Sequence, residues 1–369
     1  MNTIERGQET QKMSLQINNQ HDKPARDTLA RPLRDLRLSV IDQCNFRCTY
    51  CMPKELFNSS YPFLTASDWL SFDQMYAVCA AFTQLSVEKI RLTGGEPLLR
   101  KNLEHLIERL SHLTTLDGDP VDIAMTTNGS LLATKARALH EAGLKRITVS
   151  LDAINDATFR RMNDVGFSVA RVLDGIDEAL AVGLTPLKIN VVIERGVNED
   201  QILPLVEHFH RLPVDLRFIE YMDVGGAEAW RDSKVVHSGQ IIRELKRRYE
   251  LIPQTASRAG ETSNNYKFDG AAGRVGFVSS ISKPFCSECS RARVSADGKM
   301  YSCLFARDSL DLKPWLDPAS SVAQLSAVVQ QRWQNRTDRY SERRDEINAK
   351  RARIGGKTYP TVRMSLVGG

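Results

Sequence analysis

No stretch of this 369-residue chain approaches the roughly 20 consecutive apolar residues needed to cross a bilayer, so no membrane partner is expected. No apolar signal-peptide core precedes the first cysteines, and nothing points to an oxidising compartment. Disulfides are therefore not expected, and a cytoplasmic location is. The phosphate loop Gly-x4-Gly-Lys-Ser/Thr is missing, so any nucleotide would have to be held by separate basic side chains. The seven histidines show no ligand spacing. His208 and His210, two apart in a helical stretch, face different ways. There is no internal repeat and no low-complexity tract. Fifty Lys and Arg against 45 Asp and Glu leave a net charge of +5, a mild excess that suits an anionic substrate as well as nucleic acid and decides neither.

What is present is concentrated in cysteine. Six of the seven cysteines form two triplets. Cys44, Cys48 and Cys51 stand in Asp42-Gln-Cys-Asn-Phe-Arg-Cys-Thr-Tyr-Cys51, a C-x3-C-x2-C spacing. Three thiolates on one short loop can hold three irons of a cubane cluster and leave the fourth iron open to a small molecule. A structural zinc site is the competing reading, although zinc favours paired C-x2-C knuckles. Cys286, Cys289 and Cys303 form the second triplet, again without an obvious fourth ligand. Its C-x2-C half also suits a zinc knuckle, so both metals remain open there. Arg291 and Arg293, at i and i+2 on an extended segment, point to one face. They favour an anionic or carbonyl-rich ligand through forked hydrogen bonds. Cys79, in the apolar helical run Met75–Phe82, reads as a small core residue.

From about residue 36, short β-rich runs alternate with amphipathic stretches. The runs are Leu36–Ile41, Lys89–Leu92, Val121–Thr126, Arg146–Leu151, Leu187–Ile193 and Asp215–Glu220. Helical periodicity appears near 66–84, 102–113, 131–142, 168–182, 199–211 and 238–250. Repeated strand–helix units predict a parallel sheet, because parallel strands need crossover connections. Unusual residues gather at the carboxyl ends of the runs: Cys44, Gly94-Gly95-Glu96-Pro97, Thr126-Thr-Asn-Gly129, Ser150 with Asp152, and Met222. Barrel enzymes place their sites there, so the expected fold is an α/β partial (βα)6 barrel. The expected organisation is a flexible extension over 1–32, the barrel over 33–250, and a C-terminal region over 251–369. That last region carries the second cysteine triplet after two short β runs, Asn265–Phe268 and Arg274–Ser280.

Three further features carry chemistry beside a plainer alternative. Adjacent Gly94 and Gly95 let the backbone approach a ligand, or simply make a tight turn. Lys188, in the apolar run Leu187–Ile193, either faces a ligand inside the barrel or snorkels from a strand end. A terminal Gly368-Gly369 is by default an unstructured tail.

Taken together, the first cysteine loop and Gly-Gly-Glu-Pro resemble the radical S-adenosylmethionine superfamily. Within it the chain closely resembles the GTP 3′,8-cyclases of molybdenum cofactor biosynthesis. The likeness runs from about Leu33 to the end and rests on Cys-Asn-Phe-Arg-Cys-Thr-Tyr-Cys, Arg91-Leu-Thr-Gly-Gly-Glu-Pro-Leu-Leu-Arg100, Thr126-Thr-Asn-Gly, Val149-Ser-Leu-Asp152, Leu216-Arg-Phe-Ile-Glu220, the second triplet and Gly368-Gly369. The resemblance implies two [4Fe–4S] clusters, with Cys44, Cys48 and Cys51 holding the one that cleaves S-adenosylmethionine. Cys286, Cys289 and Cys303 would hold the one whose open iron binds guanine. Tyr50, Gly95, Ser150 and Met222 match positions that line the S-adenosylmethionine site. Arg37, Arg91, Thr126, Lys188, Arg291 and Arg293 match GTP contacts, with Arg217 a further candidate for the phosphates. Arg291, Arg293, Gly368 and Gly369 would serve catalysis, the glycine tail threading into the site.

The partners so implied are GTP, S-adenosylmethionine, an electron donor of the flavodoxin or ferredoxin type, and the downstream cyclic pyranopterin monophosphate synthase. A homodimer is compatible with the family, and nucleic acid is not expected. One departure stands out: Ser290 precedes Arg291 where asparagine is expected, which bears on a contact near the second cluster. The chief rival is a peptide-modifying radical S-adenosylmethionine enzyme with an auxiliary cluster. A zinc-dependent nucleic-acid-binding protein is the rival from another class.

Overall fold

In this computed structural model, residues 25–224, 230–256, 260–347 and 362–368 are described. The β-rich runs become β1 Asp35–Ser39, β2 Lys89–Thr93, β3 Asp122–Thr127, β4 Arg146–Ser150, β5 Leu187–Ile193 and β6 Val214–Glu220, which pair in chain order and run parallel. Downstream come β7 Leu251–Pro253, β8 Asn264–Phe268, β9 Arg274–Val278, β10 Arg291–Val294, β11 Lys299–Tyr301 and β12 Leu310–Asp311. The whole is one sheet in the order β12-β11-β10-β1-β2-β3-β4-β5-β6-β9-β8-β7. Strands β10 and β9 extend the parallel set on either side, and the edge strands are antiparallel. Among the described residues β12 and β7 do not pair, so the barrel is partial, as expected.

Helices α1 Phe72–Thr83, α2 Leu103–Ser111, α3 Leu132–Glu141, α4 Asp156–Asn163, α5 Val169–Ala181, α6 Ile202–Phe209, α7 Ser238–Leu245 and α8 Val322–Gln334 are joined by a four-residue helix, Met364–Val367, just before Gly368. Helix α1 begins at a reciprocal cap, in which Ser71 Oγ accepts the Gln74 amide and Gln74 Oε1 accepts the Ser71 amide. Its Met75, Val78, Cys79 and Phe82 are fully buried, which places Cys79 in the core as expected. Helix α4 gives no periodic signal of its own, being eight residues long and mostly polar.

Strand alternation makes the site. In β5, Leu187, Ile189, Val191 and Ile193 are buried in the core, while Lys188, Asn190 and Val192 face the other way. In β6, Val214, Leu216 and Phe218 are buried and Asp215, Arg217 and Ile219 lie on the opposite face. Asn190, Val192, Arg217 and Ile219 consequently reach the central cavity.

Two differences from the expected organisation concern boundaries. Residues 25–32, assigned to a flexible extension, are packed against the body: Ala25 and Arg31 are buried, and the Leu33 amide donates to the Ala25 carbonyl at 2.9 Å. The sheet also crosses residue 250, since β10 pairs with β1. Residues 1–24 of the extension and Gly369 lie outside the described residues.

Candidate active site

The first cysteine loop leaves β1 and is stitched to the turn after β2. The Gly95 amide donates to the Ile41 carbonyl and the Glu96 amide to the Gln43 carbonyl, both at 2.8 Å. A Cβ on Gly94 would collide with the Ile41 carbonyl, one on Gly95 with the Gln43 carbonyl, and Gly94 adopts φ +145°. These glycines thus bring one backbone against another, a use that the motif alone does not reveal. Glu96 ties the same turn to the end of β3, accepting from Thr127 Oγ1 and the Asn128 amide at 2.7 Å and from the Leu98 amide at 3.0 Å. Burial raises its carboxyl to about 7 against those hydrogen bonds.

Arg47 wraps the loop, donating to the carbonyls of Cys44 and Phe46 through Nη1 and of Phe57 through Nε. Cys44 Sγ accepts from the Phe46 amide at 3.4 Å and from Asn128 Nδ2 at 3.7 Å. Burial pushes the Cys44 thiol up to about 12, helped by Glu96, and pushes Cys48 and Cys51 well above the usual thiol range. Three buried thiols so disposed become thiolates only with positive charge between them, as a metal cluster supplies.

In the second triplet, Phe305 donates its amide to Cys303 Sγ at 3.4 Å, and burial lifts that thiol to about 12. Burial would lift Cys289 likewise, but Arg291, Arg336 and hydrogen bonds outweigh it and bring the thiol down to about 6. Among the described residues no three His, Cys, Asp or Glu side chains converge on a single ion. Each triplet nonetheless opens on the same cavity. Ligands spread around a shared space suit a cubane, in which each cysteine binds a different iron. The donor set therefore fits an iron–sulfur cluster at both places.

That cavity encloses about 310 Å³ between the two triplets. Arg37, Arg91, Thr126, Arg217, Arg291 and Arg293 line it, and so do Tyr50, Gly95, Ser150 and Met222. Lys188 and Gly368 are not among the lining residues. Lys188 lies on the same face of β5 as Asn190, one step deeper, 3.4 Å from Asp215, and burial lowers its ammonium to about 8. Gly368 is buried at φ +71°, where a Cβ would collide with Thr93. Arg293 Nη1 donates to the Val367 carbonyl at 3.4 Å and, more closely, to the Gly368 carbonyl.

Register builds a cationic row across the floor, with Arg37 level with Arg293 on one side and Arg91 on the other. Arg91 Nη1 donates to Thr126 Oγ1 at 2.9 Å and Thr148 Oγ1 at 3.0 Å. Burial, then Arg293, Arg291 and Arg91, hold the Arg37 guanidinium well below its usual range, with Asp35 opposing. Arg293 falls to about 10 through burial and Arg291. Such a row is short of negative charge and is a place for an anion. Arg291 stacks on Phe285 with its guanidinium 5.2 Å from the ring centre, and Arg217 lies 3.7 Å from Glu261.

Tyr50 donates its hydroxyl to Asp152 at 2.7 Å, and Asp152 accepts the Val192 amide at 2.9 Å. Ser290 Oγ donates to Asp35 at 3.0 Å, so the serine is engaged with the carboxylate beside the cationic row. Arg336 and Asp338 also line the cavity. Nothing in their charge-rich surroundings singles them out in sequence. In sequence, Asn128 stands out only as part of Thr126-Thr-Asn-Gly129, which assigns it no role.

Residues 38–209 match the Radical SAM superfamily, and residues 214–342 match Molybdenum Cofactor Synthesis C. A curated GTP 3′,8-cyclase of Xanthomonas axonopodis pv. citri is 49% identical over 346 residues, covering 94% of this chain and 99% of that protein. One of Staphylococcus saprophyticus is 42% identical over 344 residues, covering 93% and 98%. Among solved structures, Streptococcus suis SuiB bound to S-adenosylmethionine matches with a TM-score of 0.56 at 14% identity, covering 81% of this chain and 68% of that one. At that identity the likeness is one of fold.

Proposed function

The chain belongs to the GTP 3′,8-cyclases, radical S-adenosylmethionine enzymes of molybdenum cofactor biosynthesis, and from this premise we propose how its own residues carry the reaction. The observation that carries the assignment of roles is that both cysteine triplets open on one cavity floored by a row of arginines. Cys44, Cys48 and Cys51 would hold one cluster and Cys286, Cys289 and Cys303 the other, and these would supply the electron for S-adenosylmethionine cleavage and a place for guanine, the overall reaction converting GTP to (8S)-3′,8-cyclo-7,8-dihydroguanosine triphosphate by a bond from ribose C3′ to guanine C8.

The protein contributes charge, orientation and exclusion of water. Arg37, Arg91 and Arg293 meet the negative charge of GTP, and the Arg91 guanidinium is pre-aimed by Thr126 and Thr148. Lys188 and Arg217 extend the positive field toward the phosphates. Arg291 lines the cavity with Cys289, whose thiol its charge lowers, and its fork serves the base. Tyr50, Gly95, Ser150 and Met222, at the first triplet's end, hold S-adenosylmethionine. Gly368 is fixed by Arg293 where a side chain would not fit, and we assign it to catalysis together with Gly369.

The same reading gives a cytoplasmic enzyme, whether monomer or homodimer. Electrons come from a flavodoxin or ferredoxin, and product passes to cyclic pyranopterin monophosphate synthase. No described helix is long and apolar enough to cross a membrane. The test is anaerobic incubation of reconstituted protein with GTP, S-adenosylmethionine and reductant. A GTP-derived cyclic product alongside 5′-deoxyadenosine is expected. Formation of 5′-deoxyadenosine with no GTP-derived product would favour the peptide-modifying alternative. Cys286→Ala should spare 5′-deoxyadenosine formation more than cyclisation, and equal loss of both would refute the separation of roles.

A further inference from the structure

The second cysteine loop is gripped through its main chain by two arginines, Arg31 and Arg336, of which Arg336 also lines the cavity. Arg31 Nη1 donates to the Cys286 carbonyl at 2.9 Å and to the Asp338 carbonyl at 2.8 Å. Arg336 Nη1 donates to the Cys289 carbonyl at 2.7 Å. The two residues are 1% and 4% exposed. Between them lies Asp27, whose Oδ2 accepts Arg31 Nε at 2.5 Å and sits 3.7 Å from Arg336 Nη1. Asp338 accepts from Arg336 Nε and Nη2 at 3.0 Å. Trp333 locks both arginines, donating Nε1 to the Arg31 carbonyl at 3.1 Å and stacking under Arg336 at 4.5 Å.

Burying the three charges of Asp27, Arg31 and Arg336 costs several kcal/mol per ion before pairing returns it, so a paired cluster of this kind is weak evidence for stability alone. Its placement is specific. The two guanidinium groups reach the main-chain carbonyls of the two cysteines of one C-x2-C half-site, and Arg31 ties that half-site to the Asp338 carbonyl as well. Each guanidinium is planar and braced by a carboxylate, so it fixes the direction as well as the distance of the carbonyl it holds. Three separate parts of the chain meet there: residues 27–31, the 286–289 turn and the end of α8.

We propose that Asp27, Arg31 and Arg336 are positioning residues that set the geometry of the Cys286–Cys289 half of the second cluster site, making the segment before β1 a working part of that site. The proposal rests on the reading that Cys286, Cys289 and Cys303 hold a cluster. Hydrogen-bonded partners behind metal ligands orient them and tune the metal, and a cluster on misaligned thiolates is lost or altered in its electronic state.

The test compares Arg31→Met, Arg336→Met, Arg336→Lys and Asp27→Asn with the wild type as full-length, anaerobically reconstituted protein. Readouts are iron per chain, the electron paramagnetic resonance spectrum of the reduced protein with and without GTP, and 5′-deoxyadenosine formation. The wild type should hold about eight irons, two cubanes. If it does not, the underlying reading fails rather than the clamp. The methionine variants should lose roughly half of the iron while keeping the first cluster's spectrum and 5′-deoxyadenosine formation. Arg336→Lys keeps the charge but loses the fork, and should hold the second cluster with a shifted line shape. Full iron and an unchanged, GTP-responsive second-cluster spectrum in both methionine variants would overturn the clamp. If a methionine variant loses both clusters, as misfolded protein would, Arg336→Lys and Asp27→Asn decide. A changed second-cluster line shape beside an intact first cluster supports the clamp, and an unchanged one in both overturns it.

Discussion

Arg293 holds the carbonyl of Gly368, so a side chain of the cationic row is also the anchor of the chain's end. The glycine is required twice at this point. Its φ of +71° costs an ordinary residue about 1–2 kcal/mol, and a Cβ would overlap Thr93. Gly368→Ala should therefore lift the tail out of register and lower cyclisation about 100-fold or more, the scale expected when a catalytic element shifts by an ångström. Formation of 5′-deoxyadenosine should survive. Chromatographic quantification of both products checks this, and normal cyclisation by the variant would remove the tail from the mechanism.

Arg37 sits level with two other arginines, and no carboxylate forms an ion pair with it among the described residues. Burial and the neighbouring arginines thus disfavour its charged form, which an anionic ligand would relieve. Arg37→Met should weaken GTP binding by about 10- to 100-fold, the loss of one charge-assisted contact. It should also make the ligand-free protein more resistant to denaturation, because a buried like-charge contact disappears. Calorimetric titration with GTP and thermal unfolding measure the two effects. A variant that loses both affinity and stability would contradict the idea of stored repulsion.

Much of this site was legible because its chemistry is written in residue types that serve little else. Two cysteine triplets, paired arginines at i and i+2, and strand-end motifs all landed on one cavity. Strand β5 has the bounds expected of its apolar, β-branched run, Leu187–Ile193. Legibility stopped where partners are distant in sequence. Arg336 reaches the Cys289 carbonyl 47 residues away, and Arg31 reaches Cys286 across 255. Neither has a local pattern, and a polar run such as 25–32 looks flexible until its buried partners are known. The edge strands β11 and β12, three and two residues long, are too short for any period to show.

Gly95 separates two explanations for the glycine pair. If its backbone served only S-adenosylmethionine, Gly95→Ala would weaken that ligand and leave iron content unchanged. The collision with the Gln43 carbonyl, one residue before Cys44, predicts instead that the first cysteine loop is displaced. Iron should then fall by about half, with the second cluster retained. Iron and sulfide analysis of the anaerobically prepared variant decides, and full occupancy would return the glycine to a purely ligand-facing role.

Lys188 gives the site a pH dependence of known sign. Burial, with Arg217 beside it, holds its ammonium at about 8, below the ordinary lysine value, while Asp215 opposes. Without GTP the charge is present below that pH and is lost as pH rises through it. Anion binding favours the charged form, so GTP affinity should be flat below about pH 7 and fall by up to about tenfold per pH unit above 8. Stability of the empty protein should move the opposite way, because a buried ammonium that costs energy below pH 8 is neutral above it, while the unfolded chain still binds the proton. Lys188→Met should flatten both profiles. Titration of GTP binding and of unfolding across pH 7–10 measures them, and a GTP profile in the variant as steep as in the wild type would assign the titration to another group.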